Sequence, residues 1–164
     1  MERAIRVLNE LEKAGVIARY AIGGAVGAIF YMEPFLTYDL DVFVLLPSTS
    51  GGLLSLTPLY QELQSRGYAS EAECVNIEGI AVQFLPAYNA LVEEALREAR
   101  EADYHGVTTR VFAPEHLAAI MLQTGRDKDR QRLAAFMVEA RIEEERLRDI
   151  IARHRLMDRW NQWK

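Results

Sequence analysis

Asp39 and Asp41 stand two residues apart in an otherwise apolar run, T-Y-D-L-D-V-F-V-L-L, over residues 37–46. If that run is a strand, alternation sends both carboxylates to one face, while Leu40, Val42 and Val44 take the other. Charge in a buried strand is costly unless it is paired, hydrogen-bonded or bound to a cation, so the pair is expected to face a cleft. Two carboxylates side by side are a seat for a hard divalent cation such as Mg2+, which is commonly held by one or two acids together with substrate phosphates. Upstream, Gly23-Gly24 closes a short apolar run over residues 18–22 and opens a small-residue helix over 25–31. Bare glycine amides at a helix start let a phosphate approach the backbone at the positive end of the dipole. A tight strand-to-helix turn that binds nothing uses the same residues. Thr37, ahead of the acids, can donate to a phosphate or fix the strand entry.

The elements that must position these groups follow from periodicity and punctuation. Residues 2–13 place Ile5, Leu8 and Leu11 on one helical face, with Gly15 after the last turn. The strand carrying the acids is expected over 38–46, then a polar, glycine-containing loop over 47–52 and a helix over 55–66 ended by Gly67. Two strands, 68–77 and 80–85, flank a Glu78-Gly79 hairpin turn. A helix over 87–99 and a strand over 107–112 complete an α/β portion, residues 1–113. From Pro114 onward, residues 114–164, the pattern is helical: one helix breaking near Gly125, then 127–139, then 143–160 with arginine and glutamate at i, i+3 and i, i+4. His105, His116 and His154 have no ligand spacing and read as surface or capping residues. Trp160 and Trp163 suit packing onto the domain or a partner face.

The chain has 164 residues, half of them hydrophobic, and a net charge of −5, which offers no global basic surface for nucleic acid. The single cysteine, Cys74, has no disulfide or thiolate-metal companion, fitting a reducing cytoplasm. No apolar run approaches the roughly 20 residues of a membrane span, and the charged N-terminus is unlike a signal segment.

Several of these pieces occur together in a known order. Gly23-Gly24, the T-Y-D-L-D run, V-Q-F-L-P over 82–86 and A-P-E-H-L-A-A-I-M-L-Q-T-G-R-D-K-D-R-Q-R-L over 113–133 resemble nucleotidyltransferase-fold proteins, nearest to the branch with AbiEii-like toxins and related small nucleotidyltransferases. The resemblance implies a mixed α/β (α+β) sheet flanked by helices with a helical C-terminal portion. It implies transfer of a nucleoside monophosphate from a Mg2+-bound nucleoside triphosphate to a hydroxyl on a protein, RNA or small molecule, in a toxin role with an antitoxin partner or outside one. Gly23 and Gly24 would hold phosphates, Asp39 and Asp41 the metal, and Arg126 and Lys128 further phosphate oxygens; the last two equally suit a charged interhelical turn. The sequence departs from the family in four places. Gln83 stands where a third, metal-binding carboxylate is expected and brings neither charge nor basicity. Met121 replaces a lysine, Phe35 an arginine and Arg132 an acid. The alternatives are a catalytically degenerate nucleotide-binding module, and an interaction protein that docks through its arginine-rich last helix.

Overall fold

The computed structural model describes residues 1–33, 39–47 and 55–164. Its centre is a seven-stranded mixed sheet in the order β3-β4-β5-β2-β1-β7-β6. The strands are β1 (Arg19–Ile22), β2 (Leu40–Leu45), β3 (Ser70–Glu71), β4 (Cys74–Ile77), β5 (Ile80–Pro86), β6 (Arg100–Tyr104) and β7 (Val107–Val111). Antiparallel β1 and β2 form the middle, and each pairs outward with a parallel neighbour, β7 and β5.

Helices cover the two faces, and strand alternation decides which residues each cover meets. On one side α1 (Glu2–Lys13) buries Ile5, Leu8 and Leu11, and α3 (Thr57–Ser65) buries Leu59 and Leu63, against Leu40, Val42, Val44, Val75 and Val82. On the other, α4 (Ala90–Arg97), α5 (Pro114–Thr124), α6 (Asp127–Glu139) and α7 (Glu144–Arg153) share a core with Ala21, Phe43 and Phe112. The short α2 (Gly24–Ile29) contributes Val26 to the first core and Ala28 to the second. Removing a large side chain from either core costs about 2–5 kcal/mol.

Three elements differ from the sequence expectation. The run 68–77 is two short strands, β3 and β4, folded back at Ala72-Glu73, with Ala72 at φ 54. Residues 100–104 form the edge strand β6, paired with β7 through a His105-Gly106 turn in which both residues have positive φ, the geometry of a type I′ hairpin. The C-terminal pattern is two helices, α7 and α8 (Met157–Trp163), separated at Arg155, φ 59. No helix among the described residues is long and apolar enough to cross a membrane.

Candidate active-site cleft

Asp41 lies on β2 facing the α4–α5 side, and Asp39 immediately precedes the strand, which starts at Leu40 rather than at the expected residue 38. Both are half-buried. The parallel register sets Asp41 beside Gln83 of β5, so their side chains share a face. Around them a cleft of about 270 Å³ is lined by Gly24, Phe43, Tyr88, Met121, Arg126 and Arg132, among others.

The glycine pair is required by packing at this spot. A Cβ on Gly24, whose φ is +58, would overlap Asp41 Oδ2 and lie 2.8 Å from its Cγ; one on Gly23 would meet the Phe43 and Phe112 rings at 2.6–2.9 Å. The Gly23 amide donates to the Asp41 carbonyl at 3.0 Å. One of the two glycine amides is thus committed to the sheet, and the close approach of Asp41 to the turn is what the glycines make possible.

Electrostatics distinguish Asp41 from an ordinary surface acid. Burial first, and the charge of Asp39 second, push its carboxyl up to about 6, against the opposing pull of Arg126, Arg132 and Lys128. Arg126 caps the N-terminus of α6, and its Nε and Nη2 donate to the Asp129 carboxylate at 2.6 and 3.1 Å. Asp129 is itself buried, so the guanidinium is tethered at the cleft edge and remains half-exposed. The turn that carries it is braced from α8: Arg159 Nη1 donates to the last carbonyls of α5, Leu122 and Gln123, at 3.0 and 2.7 Å, and Gly125 takes the left-handed conformation that ends that helix. G-R-D-K-D-R is therefore an interhelical turn with a local ion pair and also a wall of the cleft.

The structure brings together Gly23, Gly24, Asp39, Asp41, Gln83, Arg126 and, through its charge on Asp41, Lys128. Thr37 and Phe35 lie outside the described residues. Met121 is buried in the cleft wall, and Arg132 adds positive charge where an acid was expected. Tyr88 escaped sequence reasoning. It follows β5, is 55% exposed in the cleft, and its ring centroid lies 6.5 Å from that of Phe43; an exposed tyrosine after a strand carries no periodic signal.

The oxygen chemistry fits a hard cation. Two carboxylates share the site, one of them destabilised in its charged form for want of compensation, and Gln83 offers an amide oxygen beside them. A second acidic cluster has its compensation built in. Glu94 of α4 accepts from Arg153 Nη2 (2.7 Å) and pairs with His116 Nε2 (3.0 Å) and His154 Nε2 (2.8 Å), and Arg146 pairs with Glu98 at 2.7 Å. His116 and His154, distant in sequence, thus converge on one acid, and His116 is fully buried rather than superficial. This cluster clasps α4, α5 and α7 together. A larger groove of about 520 Å³ between α6, α7 and α8, walled by Leu133, Met137, Trp160 and Trp163, contains no such acid pair.

No protein-family model matches the sequence, and a search of curated proteins finds no match. Solved structures do resemble the fold. An antigenic nucleotidyltransferase-like protein from Paracoccidioides brasiliensis aligns over 83% of this chain and 74% of its own, with TM-score 0.56 at 14% identity. ANT(2")-Ia in complex with adenylyl-2"-tobramycin aligns over 94% of both chains, TM-score 0.50, 15% identity. The solution structure of the antibiotic-resistance factor ANT(2'')-Ia covers 93% of this chain and 89% of its own, TM-score 0.50, 16% identity. The chain has a nucleotidyltransferase-like fold.

Proposed function

We propose that this chain transfers a nucleoside monophosphate from a Mg2+-bound nucleoside triphosphate to a hydroxyl group. The observation that carries the proposal is Asp41: a carboxylate set against Gly24, beside Asp39, and pushed up to about 6 in a cleft edged by Arg126 and Arg132. Asp39, Asp41 and the Gln83 amide would hold the magnesium, which when bound neutralises triphosphate charge and orients the α-phosphorus for in-line attack. Arg126, tethered by Asp129, and Lys128 draw the phosphate oxygens, and Gly24 lets the Asp41 carboxylate sit close against the turn. Tyr88 offers an exposed ring on which a base can stack. In this reading residues 1–113 supply the acids, and residues 114–164 fold back to supply the cations.

The acceptor class is part of the proposal. A small-molecule hydroxyl is favoured by the likeness to ANT(2")-Ia, whose structure contains an adenylylated tobramycin. A protein or RNA acceptor, an antitoxin partner and a cytoplasmic setting rest on the sequence resemblance and composition. Gln83 favours a second reading, a nucleotide-binding module that kept the cleft and lost the transfer step.

Calorimetric titration with ATP, GTP, CTP and UTP, each with and without magnesium, tests the cleft on wild type and on Asp39→Asn/Asp41→Asn. Magnesium-dependent binding of at least one triphosphate, abolished in the double variant, is expected; no binding of any triphosphate overturns both readings. Labelled nucleotide transfer into cell extract then separates enzyme from binder. Transfer gained only in Gln83→Asp identifies the module.

A further inference from the structure

Both tryptophans of the chain, Trp160 and Trp163, stand on α8, a helix with no fully buried residue. Three residues apart, they share one helical face, and both are partly buried beside the second core. That face does not close on α6 and α7. Between the three helices lies the groove of about 520 Å³, with Leu133 and Leu147 at its base and Met137 and the two indoles at its sides. Ala134, exposed on α6, is the small residue that keeps it open. That volume suits one small molecule. The groove is distinct from the cleft: on α6, Asp129 and Arg132 line the cleft, whereas Ala134 and Met137 line the groove. Its rim decides what charge it takes. The chain as a whole carries −5, yet the groove is edged by Arg130, Arg148 and Lys164 against a single acid, Glu144. Arg148 and Glu144 approach only to 4.0 Å, with side chains 63% and 77% exposed, a pair worth little in water. Arg130 has no ion-pair partner among the described residues. Lys164 Nζ lies 5.2 Å from the Trp160 ring centroid, a cation–π contact that sets a positive charge over the indole without neutralising it.

We propose that this groove binds a small organic acid, its carboxylate held at the rim by Arg130 and Arg148 and its apolar body laid between Trp160, Trp163 and Met137. The body releases water from the indoles and from the adaptable methionine side chain. The head collects charge-assisted hydrogen bonds from guanidinium groups that the chain itself leaves without a strong partner. A cationic head meets three like charges, and an uncharged one leaves them unused. The site is independent of the nucleotide reading above.

Because both tryptophans line the groove, intrinsic fluorescence of the full-length chain reports on it directly. The test titrates the chain with octanoate, octanol and octyltrimethylammonium, each below its micelle-forming concentration, with calorimetry in parallel; one apolar body is thus compared under three head groups. Octanoate is expected to shift the emission saturably and to bind about tenfold more tightly than octanol, with octyltrimethylammonium weaker than both. Arg130→Gln/Arg148→Gln is expected to bring octanoate down to the affinity of octanol while leaving octanol unchanged, a selective loss that a folding defect does not produce. Ala134→Phe, which fills the groove, is expected to weaken octanoate and octanol alike by more than about tenfold. Equal wild-type affinities for octanoate and octanol overturn the anionic head. Octanoate binding that persists unchanged in Ala134→Phe overturns the groove as its site, and no saturable change with any of the three overturns the proposal outright. Should Ala134→Phe fail to fold, the arginine double variant decides alone: unchanged octanoate affinity there overturns the proposal.

Discussion

Two carboxylates packed against the same side of the sheet have opposite fates. Glu94, gripped first by Arg153 and then by His116 and His154, is held down to about 2. Asp41, buried and facing Asp39, is pushed up to about 6 even with three cationic side chains in reach. The chain supplies the counter-charge of the first acid from α5 and α7, and that acid serves stability. It leaves the second under-compensated beside an open cleft, the electrostatic condition that the proposed magnesium site requires. The two acids therefore make opposite demands on pH and on substitution.

The largest effect is expected from Gly24→Ala. A methyl group there must displace the Asp41 carboxylate, and it adopts a left-handed φ; the combined cost is about 2–4 kcal/mol. Urea denaturation should show that loss, and calorimetry should show nucleotide binding reduced by more than tenfold. Glu94→Gln is expected to destabilise by about 2–3 kcal/mol, because Arg153 and the two histidines lose their shared anion. It should leave Mg2+ affinity intact, which separates the clasp from the cleft.

Asp41→Asn is expected to act in the other direction. A raised folded-state value means that the protonated form suits the native state, so stability is fullest below about 4 and falls as pH rises through about 6. The asparagine variant is spared that fall and should be about 1–2 kcal/mol more stable than wild type at pH 7, with no advantage near pH 4. Glu94 gives the mirror image: its stabilisation is complete above about 4.5 and is lost as pH falls toward about 2. His116, held below the usual histidine range chiefly by burial, adds to that acid lability, since it must charge as the clasp opens. Urea midpoints of the two variants should therefore approach wild type toward low pH and depart from it in opposite directions toward pH 8, Asp41→Asn upward and Glu94→Gln downward. The smallest effect is expected from Tyr88→Ala, about 1–2 kcal/mol in nucleotide affinity with little change in Mg2+ binding.

How much of this was legible depends on how local each feature is. The Asp39–Asp41 spacing, the glycine pair and the Pro114 start and Gly125 stop of α5 are set within a few residues, and the mixed α/β fold follows from elements of that kind. β6 was missed because R-E-A-D-Y is polar and sits on the sheet edge, where only Ala102 and Tyr104 are partly buried, so neither strand nor helix periodicity marks it. The break between α7 and α8 falls at Arg155, with no glycine or proline to announce it. In the cleft, the place of Tyr88 and the tether from Asp129 to Arg126 depend on which loops and helices meet. So does the convergence of His116 and His154 on Glu94, an arrangement between residues 22 and 60 positions apart that spacing cannot reveal.

The most direct test of the central claim is the titration of the Asp41 carboxyl itself, followed by carbon NMR of selectively labelled protein with and without magnesium and ATP. A midpoint near 6 is expected in the free protein, falling well below that value once magnesium and ATP saturate the cleft. A midpoint that stays near 6 in their presence would contradict it.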